Sequence, residues 1–165
     1  MSKAMSKRKA TPDGCRWMVR KDLHEAIGIE ASCYSRPWNE DDFNRKMRER
    51  NTTGLVCDHN GAVAGFMLYE LHKHRLGLVK LVVDPIYHRC GIGTILVEKL
   101  KSKLSVSRRE RITVEVPESQ LGVQLFFKAM GFKARDVFRN KFTDDDGNPE
   151  DAYFMEYRIA GAKDA

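Results

Sequence analysis

The sequence predicts an α/β chain of the α+β kind, with one central mixed, mostly antiparallel sheet of about seven strands and about four helices. Three observations carry this prediction. Short β-patterned runs alternate with segments that open on helix-start residues. Two turn clusters, His59-Asn60-Gly61 and Asp144-Asp145-Asp146-Gly147-Asn148-Pro149, each join a pair of strand-like runs. Between them, an apolar strand ending in Val82-Val83-Asp84-Pro85 runs through the basic turn His88-Arg89 into a helix opened by Gly91 and Gly93.

Taken in order, residues 15–20 alternate and suit a first strand. Asp22, with Glu25 three residues on, has capping-box spacing and predicts a helix over 23–33. Arg36-Pro37-Trp38 breaks it, and Asn39 followed by three acidic residues starts a second helix to about residue 50. Residues 55–58 and 62–71 form the first hairpin, and 77–84 a further apolar strand. The glycine-led helix runs from 91 to about 104, and 112–116 is a short strand. Ser119 is the expected cap of a helix ending at Met130, with Gly131 as its left-handed stop. A last hairpin joins 133–142 to 152–159. The order is therefore β-α-α-β-β-β-α-β-α-β-β.

The chain has 165 residues and a formal net charge of +6. Lys3, Lys7, Arg8 and Lys9 against Asp13 place half of that charge in the opening 13 residues. Residues 1–13 thus read as a basic disordered tail and 14–165 as a single domain. Nucleic-acid binding through that tail is not the favoured reading. No apolar run approaches the length of a membrane span, and no leader peptide is recognisable, so a cytoplasmic protein without membrane contact is expected. Cys15, Cys33, Cys57 and Cys90 are scattered without metal-ligand or disulfide spacing, so no metal is expected.

The turn His88-Arg89-Cys90-Gly91-Ile92-Gly93-Thr94 is the most chemically specific segment. A helix start offers unpaired N–H groups and the positive end of its dipole to an anion. Gly91 and Gly93 let a bulky anion approach the backbone, and His88 and Arg89 can close over it. There is no Walker A lysine and no three-glycine dinucleotide fingerprint. The segment resembles the pyrophosphate-binding motif Gln/Arg-x-x-Gly-x-Gly/Ala of the GCN5-related N-acetyltransferases, with His88 in place of the first residue. The element order is also that family's. Arg36-Pro37-Trp38-Asn39-Glu40-Asp41-Asp42-Phe43, Phe126-Phe127-Lys128-Ala129-Met130-Gly131-Phe132 and Asp151-Ala152-Tyr153-Phe154-Met155 are similar to blocks of its ribosomal-protein alanine and protein N-terminal acetyltransferases.

The resemblance implies acetyl-coenzyme A as cofactor, and a sheet whose fourth and fifth strands splay to admit the pantetheine arm. Leu81, Val82 and Val83 would pair with that arm through their backbone. His88, Arg89, Cys90, Gly91, Ile92, Gly93 and Thr94 would cradle the pyrophosphate, with Gln120 and Phe127 beside them.

Residues 112–116 alternate so that Thr113 and Glu115 share the face opposite the apolar side chains, where a carboxylate must be wet or paired. Relatives of this kind hold a glutamate at that point to deprotonate the acceptor through water, which makes Glu115 the expected base. Phe127 stands where they carry the tyrosine that protonates the leaving thiolate. Tyr153 is the expected substitute, with Tyr34 and Tyr157 as alternatives. The resemblance places Arg36, Pro37, Trp38 and Tyr153 along the acceptor.

Deprotonating a lysine costs roughly 3.4 kcal/mol more than an α-amine, from a gap of about 2.5 pKa units, which favours a protein N-terminus attacked directly in a ternary complex. A lysine, a small-molecule amine, a non-catalytic acyl-coenzyme A sensor and a homodimer stay open.

Overall fold

The computed structural model describes residues 14–161, so the expected tail at 1–13 lies outside the described residues. Seven strands form one sheet in the order β1-β2-β3-β4-β5-β7-β6, where β1 is Cys15–Trp17, β2 Thr52–His59, β3 Ala62–Leu71, β4 Arg75–Val83, β5 Arg111–Pro117, β6 Lys133–Thr143 and β7 Pro149–Arg158. Every neighbouring pair is antiparallel except β4 and β5, which run parallel. Four helices flank the sheet: α1 (Leu23–Cys33), α2 (Glu40–Met47), α3 (Ile92–Lys101) and α4 (Leu121–Ala129). This is the predicted fold class.

On one face, Leu96, Val97 and Leu100 of α3 and Phe127 of α4 pack against Leu76, Ile112, Val114 and Met155. On the other, Ala26 and Ile29 of α1 and Phe43 of α2 pack against Val56, Phe66, Leu68 and Val82. That second cluster draws its sheet residues from β2, β3 and β4, so α1 and α2 cover half of their face.

The hairpin at Asn60-Gly61 forms as expected, with both residues left-handed at φ 53° and 79°. Asn39 caps α2 reciprocally with Asp42, at 2.9 and 3.0 Å. Two other expected caps are not made. The Asp22 carboxylate instead accepts from Nη1 and Nη2 of Arg16, at 2.8 and 2.9 Å, and from the Val19 N–H, while Glu25 accepts from the Val63 N–H. A 3-10 turn at Arg20–Asp22 leads into α1 and removes the need for the box. Ser119 donates to Glu150, and Gln120 occupies the capping position of α4 without a side-chain bond. A second 3-10 turn, Pro85–Tyr87, follows β4 and was not anticipated; Asp84 accepts from Ile86 N–H to close it.

A bulge in β4 decides where the site lies. Leu68 opposes Lys80 and Tyr69 opposes Leu78, leaving Val79 unopposed. An extra residue bends its strand and increases local twist. Val79 and Lys80 consequently both face α1: Val79 packs on the cluster beneath it, and Lys80 reaches Glu30. β4 and β5 pair only from Arg75↔Arg111 to Leu78↔Val114. Beyond the bulge they separate, and the sheet opens into a slit bounded by Leu81–Val83 on one side and Glu115–Pro117 on the other.

Candidate active site

A groove of about 1030 Å³ enters the slit from the α3 side. It is lined by Leu81, Val82 and Val83, by His88 and Arg89, by Gly91 to Thr94, and by Gln120 and Phe127, so eleven of the twelve residues predicted to hold the cofactor come together. Cys90 does not join them. It is 6% exposed, packs in the core and donates its N–H to the Tyr87 carbonyl at 3.1 Å.

The cradle is built by two left-handed residues. Arg89 stands at φ 62° and Gly91 at φ 84°, conformations that turn the chain sharply before the helix. The Ile95 N–H closes the first helical bond on the Gly91 carbonyl at 3.0 Å, so the amides of Ile92, Gly93 and Thr94 precede it without helical acceptors. A Cβ at Gly91 would meet open space, and one at Gly93 would stand 3.4 Å from the Phe126 ring. The mouth is thus open at backbone level and apolar at its floor. The His88 ring turns inward, with Nε2 2.9 Å from the Val83 carbonyl, which also accepts from the Cys33 thiol. Arg89 is left as the exposed cation at the cradle. Open amides, one cation and an apolar slit fit a diphosphate on a long thin arm.

A second groove, of about 680 Å³, enters the same slit from the α1 and α2 side. Tyr34, Leu81, Gln120 and Phe127 line both grooves and mark their junction. Glu115 lines the second, with its side chain one-third exposed and Lys141 Nζ 3.6 Å from Oε2. Asp144, Asp145, Asp146 and Glu150 add carboxylates from the β6–β7 end. Glu30, 1% exposed, accepts from Lys80 Nζ at 2.6 Å, and that ammonium lies over the Trp38 ring at 4.2 Å. Cation–π contact and the ion pair together fix Lys80 in the groove wall.

Arg36 and Trp38 line this groove, while Pro37 is exposed and lines neither. Ser35 donates to Asp145, so the α1–α2 segment and the β6–β7 turn meet across the opening.

Tyr153 is not brought to the junction. It lines a separate groove with Leu121, Leu125 and Phe132 beneath α4, because the alternation of β7 turns it to the face opposite Glu115. Tyr157 lies by Phe132 and Lys101. The phenol at the junction is Tyr34, which desolvation by its packing, with Glu30 and Cys33 nearby, pushes up to about 12. Nothing local in the sequence ranks Tyr34 above Tyr153. Among the described residues no cluster of three His, Cys, Asp or Glu side chains is arranged to hold a metal.

The profile of the acetyltransferase (GNAT) family matches residues 20–132. The chain belongs to that family. It is therefore an N-acetyltransferase. The [ribosomal protein bS18]-alanine N-acetyltransferase of Escherichia coli K12 is 30% identical over 139 residues, covering 84% of this chain and 93% of its own. The crystal structure of the Escherichia coli ribosomal-protein-S18-alanine N-acetyltransferase superposes with a TM-score of 0.81 at 27% identity, covering 90% of this chain and 95% of that one. Arabidopsis thaliana NAA60, solved in complex with acetyl-CoA, shares the fold with a TM-score of 0.75 at 14% identity, over 89% and 98% of the two chains. No helix among the described residues is long and apolar enough to cross a membrane.

Proposed function

We propose that this acetyltransferase takes acetyl-coenzyme A as donor and a protein N-terminal α-amine, of the ribosomal-protein type, as acceptor, by direct attack with both bound. One observation carries the reading: two grooves enter from opposite faces of the sheet and meet in a single slit, with the cradle on one side and Glu115 on the other.

Acetyl-coenzyme A supplies the activated acyl group as a thioester. The cradle amides and Arg89 would hold its diphosphate, and the edge of Leu81–Val83 that turns away from β3 would align its arm and present an N–H to the thioester carbonyl. The acidic second groove attracts an ammonium group. Glu115, partly wet, takes one proton from it through water. As the N–C bond forms and the C–S bond breaks, the second amine proton leaves toward the sulfur. A free thiolate lies only about 2 kcal/mol above its thiol at pH 7, so a hydrogen bond from Tyr34 at the junction suffices where relatives use a stronger acid. The α-amine is favoured because one partly exposed carboxylate suits the nucleophile that is easier to deprotonate.

The test incubates the protein with acetyl-coenzyme A and peptides that carry both a free N-terminus and an internal lysine. Tandem mass spectrometry then locates the acetyl group. Acetyl on the α-amine supports the proposal; acetyl confined to lysine, or none on either amine, overturns the acceptor assignment. Glu115→Gln should lower kcat by about a hundredfold or more while leaving the acetyl-coenzyme A Kd unchanged.

A further inference from the structure

Cys15 and Cys57 stand directly opposite each other across β1 and β2. Further along that register Met18 meets Gly54 and donates its N–H to the Gly54 carbonyl at 2.9 Å. Hydrogen-bonded and non-hydrogen-bonded pairs alternate along an antiparallel ladder. Arg16 and Val56 are therefore the next hydrogen-bonded pair, and Cys15 and Cys57 a non-hydrogen-bonded one. Such pairs hold their Cα atoms about 4.5 Å apart, within the roughly 4.4–6.8 Å that a disulfide spans. Both side chains share the α3 face of the sheet, where Cys57 is fully buried and the half-buried Cys15 packs against the same cluster.

The two thiols are also chemically unequal. The Cys57 thiol donates to the Cys15 sulfur, which holds Cys15 below the usual thiol range and, together with burial, pushes Cys57 above it. The Lys99 ammonium on α3 adds to the preference of Cys15 for the thiolate, and Asp58 opposes it. Cys15 is thus placed as the attacking sulfur, with Cys57 behind it as the resolving one. The other two cysteines are engaged elsewhere. Cys33 packs on the opposite face and donates to the Val83 carbonyl, while the Cys90 thiol turns to the His88 carbonyl.

We propose that Cys15 and Cys57 form a reversible oxidation site, closing a disulfide when the chain meets a low-molecular-weight disulfide such as oxidised glutathione. The Cys15 thiolate attacks one sulfur of the oxidant and expels the first glutathione. The Cys57 sulfur, giving up its proton, then attacks the Cys15 sulfur and expels the second. Two protein thiols, less their protons, become one disulfide, and the oxidant becomes two glutathione thiols that carry those protons. The new bond closes a loop over residues 15–57, which contains α1 and α2 and with them Tyr34, Arg36 and Trp38 of the second groove. A cross-link of this kind restricts the unfolded chain and so stabilises the folded one. Oxidation therefore clamps the segment that walls the second groove, whichever amine is acetylated.

The test incubates the full, folded chain with oxidised glutathione and then alkylates the remaining thiols. Tandem mass spectrometry without reduction maps the links. The expected product joins the Cys15 and Cys57 peptides of one chain, is removed by dithiothreitol, and leaves Cys33 and Cys90 alkylated. In Cys57→Ser the reaction should stop at a glutathione adduct on Cys15. In Cys15→Ser, Cys57 should stay free of glutathione. Should Cys57→Ser misfold, Cys57→Ala replaces it, and Cys15→Ser, at the half-buried position, carries its own half of the test. The oxidised chain should melt about 5 °C or more above the reduced one, with no such difference in Cys15→Ser. Full alkylation of both Cys15 and Cys57 after the incubation overturns the proposal. So does a glutathione adduct that persists on Cys15 in the unsubstituted chain, a link between two chains, or a link to Cys33 or Cys90 in its place. Residues 1–13 are present throughout, so shielding of Cys15 by them reads as full alkylation in the final denatured sample and counts against the site. Equal melting temperatures for the linked and reduced chains overturn the clamp.

Discussion

Tyr34 and Phe127 both line the junction where the two grooves meet, yet of these two only Tyr34 can donate a hydrogen bond. Tyr34→Phe should lower kcat about tenfold, with little change in KM for either substrate, whereas Tyr153→Phe should leave steady-state rates alone because Tyr153 lines the groove beneath α4. A rate loss in the Tyr153 variant with none in the Tyr34 variant would reverse this assignment. Glu115 was legible from strand alternation, since period two settles which face a residue takes once its neighbours are known. Tyr153 was not, because Tyr153-Phe154 offers an aromatic to either face. At Asp22, the two bonds from Arg16 hold the carboxyl below the usual carboxylate range. A lowered folded pKa contributes stability above the unfolded value, near 3.9, and loses it as pH falls through the folded value. Asp22→Asn should therefore cost about 1–2 kcal/mol in urea unfolding at pH 7, discounted for the 40% exposure of the Arg16 side chain. The deficit should shrink on acidification.

At the scale of elements, the strand–turn–helix around Gly91 was readable because its residue types have few other uses together. Gly91→Ala would place a Cβ at φ 84°. The strain should cost about 1 kcal/mol or more in stability and weaken coenzyme A binding, measurable by thermal denaturation and calorimetric titration. An unchanged Kd would mean that the cradle does not depend on this backbone shape. The bulge at Val79 was illegible. In Leu78-Val79-Lys80-Leu81-Val82-Val83 the apolar run fits any register, and only the pairing with β3 shows which residue is extra. Helix starts divided in the same way. Asn39 could satisfy its own cap locally, whereas Asp22 was claimed by Arg16, six residues back on β1, and Glu25 and Ser119 by Val63 and Glu150, from elements distant in the chain.

Across the molecule, two grooves enter from opposite faces and meet inside the slit, and the proposed function places the donor in one and the acceptor in the other. Neither needs to leave before the other enters, so initial velocities varied in both substrates should give intersecting double-reciprocal lines. Parallel lines would indicate an acyl-enzyme and displace the direct-attack reading. The seam that holds β4 to β5 spans Arg75–Leu78 against Arg111–Val114, and the donor slot begins where that seam ends. Its walls are strand edges that no longer pair with each other beyond the seam, rather than a particular set of side chains. A slot of that kind is inherited with the shape of the sheet, whatever residues decorate it, and the fold persists here at a TM-score of 0.81 with 27% identity and 0.75 with 14%. The side chains projecting from the same strands remain free to diverge. On the proposed reading, a lineage could exchange one acceptor for another across the acidic groove while the slot for the acyl donor passes on with the sheet that shapes it.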